Sequence, residues 1–228
     1  MRKADIVTLT GGALASLSLV LALLGKPVLG LRVLIASYIA DVLDGWVARR
    51  YDSPDPRGQL LDRSLDRFSQ IIAPLTLFTV FWAGTFSTTE KMFLGIYAAT
   101  MIPYSFYRLA YRRVASLTHF PGAPLFTHTL LMVGSIIGEV RVNPLLLLLL
   151  AALSILPVRY PRKLPGRGRK GSPSPALIPR LVILAVIALI PYKGLIGWGL
   201  GVILVFSALL YALLGWIPGY VFREDEDR

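Results

Sequence analysis

Long apolar runs alternate along this chain with short clusters of basic, proline and glycine residues. A helix needs about 20 apolar residues to cross the hydrocarbon of a bilayer. Runs of that order fall at 5–25, 30–50, 62–86, 91–113, 123–139, 143–158, 177–192 and 195–221. They predict an all-α polytopic membrane protein, a bundle of about eight transmembrane helices. Pro144, Pro157, Pro179 and Pro191 interrupt the fifth to seventh runs, so six or seven spans also fit. The stretch from Tyr160 to Pro175 breaks the pattern with prolines, glycines and serines. Its basic residues suit an anionic leaflet surface. The chain therefore reads as membrane helices over 1–158, a basic cytoplasmic linker over 159–176, and a C-terminal helix pair with an acidic tail over 177–228.

Composition agrees. Of 228 residues, 55% are hydrophobic and only 16% charged, and the mean hydropathy is +0.64. A soluble domain carries about 25% charged residues, and a disordered chain is poor in apolar ones. Cysteine is absent, which excludes disulfides, thiolate metal sites and a cysteine nucleophile. The net charge of +11 would suggest nucleic acid in a soluble protein. Here the basic residues lie between the apolar runs. With a cytoplasmic N-terminus and eight spans, nineteen of the 24 fall on the cytoplasmic side, as the positive-inside rule requires. No nucleic acid partner is expected. Both termini are expected in the cytoplasm, and the first run, which contains Asp5, reads as a retained helix.

The aspartates carry the chemistry. Asp41 and Asp44 lie inside the second run, and Asp62 and Asp66 open the third. A carboxylate in hydrocarbon costs about 2.5–3.5 kcal/mol on insertion scales, so such residues mark function. Asp41, Asp44, Gly45 and Ala48 share one helical stripe; Gly58, Asp62 and Asp66 share another. Pro54 and Pro56 force a turn between them, which makes the two helices antiparallel neighbours. The small residues permit close approach. Four converging carboxylates need cations, and oxygen ligands without sulfur or histidine select magnesium, manganese or calcium. Two such ions are the usual arrangement for phosphoryl transfer, and Arg49 could hold a phosphate.

The pattern Asp41-x2-Asp44-Gly45-x2-Ala48-Arg49-x8-Gly58-x3-Asp62-x3-Asp66 resembles the complete signature of the CDP-alcohol phosphotransferase family. The resemblance implies a polytopic helical enzyme, commonly a homodimer, with its active site open to the cytoplasm. Such enzymes transfer a phosphatidyl-type group from a CDP-linked lipid, CDP-diacylglycerol or CDP-archaeol, to an alcohol and release CMP. By the same resemblance Asp41, Asp44, Asp62 and Asp66 hold Mg2+ or Mn2+, and Asp66 is also the general base. Gly45, Ala48 and Gly58 let the CDP moiety lie against the helices, and Arg49 contacts it.

The acceptor is read from a second stretch. Arg108-Leu109-Ala110 followed by Phe120-Pro121-Gly122-Ala123-Pro124 is similar to segments of the family's phosphatidylserine synthases, which implies L-serine. Arg108 and Arg112 could instead recognise a phosphate on the acceptor, which suits inositol phosphate or glycerol phosphate. His119 and His128 flank this stretch and read as interfacial hydrogen-bonding residues; Thr8 and Thr10 read as a polar helix end. The rival class is an ion-coupled transporter, since intramembrane carboxylates also line ion pathways. It is disfavoured because the acidic cluster lies at one membrane edge with no second copy.

Overall fold

The computed structural model describes residues 3–51, 56–114, 119–156, 158–161 and 177–215. Among these, the helices are α1 (Lys3–Leu23), α2 (Pro27–Tyr51), α3 (Pro56–Arg67), α4 (Ala73–Trp82), α5 (Thr88–Val114), α6 (Leu125–Ile137), α7 (Pro144–Ile155), α8 (Leu177–Leu189) and α9 (Gly194–Leu214). A π-helical turn, Phe68–Ile72, joins α3 directly to α4. The helices thus form eight continuous rods, one for each apolar run. The third rod starts earlier than expected, at Pro56, where the missing N–H is harmless in a first turn. Most of the basic linker and the acidic tail lie outside the described residues, as do residues 52–55, where a turn is expected.

The purely helical expectation needs one correction. Strands β1 (His119–Pro121) and β2 (Arg159–Pro161) pair antiparallel, with Phe120 opposite Tyr160. Three residues ending in proline carry no alternating pattern, so nothing in the sequence announced them.

Helix ends follow local chemistry. Ser87 and Glu90 form a capping box at α5: the Ser87 N–H donates to Glu90 Oε2 at 2.8 Å, and the Glu90 N–H to Ser87 Oγ at 3.3 Å. Asn143 caps α7, its side chain accepting from the Leu145 N–H, with Pro144 in the first turn. Helix α8 stops at Leu189, two residues before Pro191. Ala4–Leu23 and Gly194–Leu214 are long and apolar enough to cross a bilayer, each with mean hydropathy 2.1. Helices α6, α7 and α8 are apolar but have 13, 12 and 13 residues. At 1.5 Å per residue that is about 20 Å, short of the roughly 30 Å hydrocarbon core.

The described residues fall into two compact units, the first drawn from Met1–Phe81 and Gly166–Pro191, the second from Trp82–Pro165 and Tyr192–Arg228. In the first, α1 lies along α2, α3 packs on α1, and α8 lies on α2. Leu31, Leu34, Ile35, Ala15 and Ala22 are fully buried there. Arg32 of α2 ties down the end of α8, donating to the carbonyls of Ala188 (2.9 Å) and Ile190 (3.0 Å). In the second unit, α6 packs on α9 and α5 on α7. Gly201 of α9 meets the backbone of Gly138 so closely that any side chain would force the helices apart.

Candidate active site

Helices α2 and α3 bring the aspartates together in the first unit. Asp41, Asp62 and Asp66 each offer a carboxylate oxygen, and the three oxygens lie within 4.8 Å of one another. Asp41 is exposed; Asp62 and Asp66 are half-buried. Were all three ionised, each pair of charges would repel by about 3 kcal/mol for an effective dielectric of 20. The cluster is therefore a place for positive charge.

Asp44, one helical turn beyond Asp41, is buried, with 5% of its surface exposed. Its Oδ2 accepts from Thr8 Oγ1 of α1 at 2.7 Å. The Thr8 hydroxyl also lies 3.0 Å from the Ala4 carbonyl, but it has one hydrogen, and the carboxylate is the stronger acceptor. The four aspartates, Thr8, Ser37, Ser69 and Gly11–Gly12 wall a cavity of about 20 Å³, room for one ion or water. Gly12 keeps α3 close: a Cβ there would stand 2.9 Å from the Leu65 methyls. Ser37 Oγ donates to the Gly11 carbonyl at 2.8 Å, which fixes α1 against α2. An all-oxygen donor set around so small a space fits a hard divalent cation.

Gly45, Ala48 and Gly58 are half-buried on the same two helices. The side chains of Arg49 and Arg112 lie outside the described residues, as does that of His119. Arg67 follows Asp66 and is buried. Sequence reasoning missed Ser37 and Ser69, and took Thr8 for a helix end. Thr10 lies two turns inside α1, and its hydroxyl bonds back to the Ile6 carbonyl.

Arg108 belongs to the second unit. It is buried, and its guanidinium donates to the carbonyls of Ala123 (2.8 Å) and Gly122 (3.1 Å). Gly122 has φ +70°, and a side chain there would run into the Ser154 carbonyl. Ser154 Oγ donates to the Ala123 carbonyl at 3.1 Å. That uses its only hydrogen, so the 2.8 Å contact with His128 Nε2 requires N–H on Nε2. His128 Nδ1 then accepts from the Tyr97 hydroxyl at 2.9 Å. His128 is thus a fully buried member of a polar chain, not an interfacial residue.

Converging carboxylates on two successive helices of an apolar protein suit a helical enzyme that handles phosphoryl groups through cations held by acidic residues. The comparisons name the family. The model of the CDP-alcohol phosphatidyltransferase family matches residues 1–157, and this chain belongs to that family. It is also similar to an archaetidylinositol phosphate synthase of Methanothermobacter thermautotrophicus, with 37% identity over 103 residues. That match covers 44% of this chain and half of the relative's length.

Proposed function

We propose that the protein is a multi-pass membrane enzyme that transfers a phosphatidyl-type group from a CDP-linked lipid to inositol phosphate, releasing CMP. The observation that carries the reaction is the Asp41, Asp62 and Asp66 cluster beside Asp44. The acceptor rests on the archaetidylinositol phosphate synthase similarity, whose name also favours CDP-archaeol as donor. This moves the acceptor away from serine. The serine-like stretch has another explanation: Arg108 is engaged with the Gly122 and Ala123 carbonyls, which gives those residues a structural role.

Asp41, Asp44, Asp62 and Asp66 would hold Mg2+ or Mn2+, and the cavity they wall has room for one ion where the sequence led us to expect two. Bound there, the metal supplies charge neutralisation that makes the pyrophosphate electrophilic. The chain's own residues do the rest. Asp66 takes the proton of the acceptor hydroxyl as that oxygen bonds to the lipid-side phosphorus. The bond to the CMP oxygen breaks, and no covalent enzyme intermediate is needed. Gly45, Ala48 and Gly58 leave room for CDP, Arg49 binds its pyrophosphate, and Arg112 binds the acceptor phosphate. Residues 1–158 form the catalytic part of a homodimer whose active site and termini face the cytoplasm.

The test supplies purified protein with CDP-archaeol or CDP-diacylglycerol and one acceptor at a time, with lipid products read by mass. Archaetidylinositol phosphate is expected. A product with serine alone would reinstate the serine reading, and no product with any acceptor would remove the transferase reading.

A further inference from the structure

The rod that carries Asp62 and Asp66 is not regular. Two residues beyond Asp66 it widens into the π-helical turn Phe68–Ile72, where the Ala73 N–H reaches back five residues to the Phe68 carbonyl. Pro74 explains the turn. A proline ring inside an α-helix clashes with the carbonyl four residues back, and widening the helix relieves it. The turn has a consequence for Ser69. In α register its carbonyl would take the Ala73 N–H, now given to Phe68; in π register it would take the N–H of residue 74, which proline lacks. The Tyr38 hydroxyl of α2 fills the place, donating to the Ser69 carbonyl at 2.9 Å. Ser69 is buried, lines the acidic cavity, and donates from Oγ to the Asp66 carbonyl at 3.3 Å. Tyr38 itself stands one turn before Asp41 on α2.

We propose that Tyr38 is a positioning residue: its hydrogen bond to the Ser69 carbonyl holds the π-helical turn in register and so fixes where Asp66 stands relative to Asp41. The inference rests on the reading of Asp66 as base and metal ligand. Tyr38 acts through the backbone and touches no substrate. Without its hydroxyl the Ser69 carbonyl is left to find another donor, and the turn relaxes at the point that sets the aspartate.

The test compares Tyr38→Phe, Pro74→Ala and the double variant by three readouts. Mn2+ titration followed by electron paramagnetic resonance reads the carboxylates, backbone hydrogen exchange over 68–75 reads the turn, and CMP release reads the reaction. For Tyr38→Phe we expect Mn2+ affinity and kcat each to fall about tenfold, the size typical of lost outer-shell support. KM for the CDP-lipid should stay within about twofold, because the defect is in orientation and not in donor binding. Exchange over 68–75 should accelerate. Pro74→Ala removes the clash that widens the helix, so without the Tyr38 hydroxyl the segment returns to α register, with the Ser69 carbonyl taking the Ala73 N–H and Asp66 displaced. In the double variant this change should restore exchange protection and thermal stability while Mn2+ affinity and kcat stay low. Wild-type Mn2+ affinity and kcat in Tyr38→Phe would overturn the proposal, and so would a double variant in which both recover with stability. If the unaltered protein binds Mn2+ but releases no CMP, the transferase reading falls and the Mn2+ and exchange data still decide the role of Tyr38. An unaltered protein that binds no Mn2+ overturns both.

Discussion

Each unit of this chain contains a polar cluster, and the two are organised in opposite ways. In the second unit, Tyr97, His128, Ser154 and Arg108 form a buried group in which the hydroxyls, the imidazole and two guanidinium nitrogens meet acceptors of the protein itself. In the first, three aspartates bring one carboxylate oxygen each within 4.8 Å of one another. The first arrangement holds a loop in place and asks for nothing from outside. The second gathers like acidic groups around a small space that suits a cation. Polar groups that satisfy one another signal architecture, and polar groups that share an unmet need signal a site.

The largest effect should come from removing the base. Asp66→Asn keeps the shape and removes proton acceptance, so CMP release should fall about 10²–10⁴-fold. Thermal stability in detergent should hold or rise, since one like charge has gone. A large stability loss would make Asp66 architectural and erase the contrast. The matching change in the other cluster is Gly122→Ala. It places a side chain against the Ser154 carbonyl at φ +70° and should cost on the order of 3 kcal/mol of stability. Unfolding curves check this. Mn2+ affinity per folded molecule should not change.

Smaller effects sharpen the comparison. Thr8→Val removes the donor to Asp44 and should weaken Mn2+ binding about tenfold, with Thr8→Ser restoring it. Unchanged affinity would detach Asp44 from the metal. The smallest effect concerns Glu90, which lies outside both clusters. The Ser87 N–H, and after it Arg141 at 2.8 Å, hold its carboxyl below the usual glutamate range. Its contribution is therefore present above the ordinary glutamate pKa of about 4.3 and fades as pH falls below that value. The melting temperature of the unaltered protein should drop slightly more on acidification than that of Glu90→Gln.

The acidic cluster was legible because its geometry is local. Asp62 and Asp66 are one turn apart, and α3, which carries them, begins at Pro56, only a few residues after α2 ends. The eight helical rods were legible for a similar reason, as each is one apolar run. The contact between Thr8 and Asp44 joins positions 36 residues apart and depends on how α1 packs, which no periodicity encodes. Pro74 was visible, yet its effect on the Ser69 carbonyl needs the Tyr38 partner from another helix. Arg108 was visible as a charge. That it serves the Gly122 and Ala123 carbonyls follows only from the fold.

The central claim is that the aspartate cluster binds a divalent cation to drive transfer from a CDP-lipid. The most direct measurement is CMP release from CDP-archaeol and inositol phosphate by purified protein, titrated with Mn2+ or Mg2+ and then with EDTA. Release should require both metal and acceptor, stop with EDTA, and fall by at least about 10²-fold in Asp66→Asn. Release that persists in EDTA, or that Asp66→Asn leaves intact, would contradict that claim.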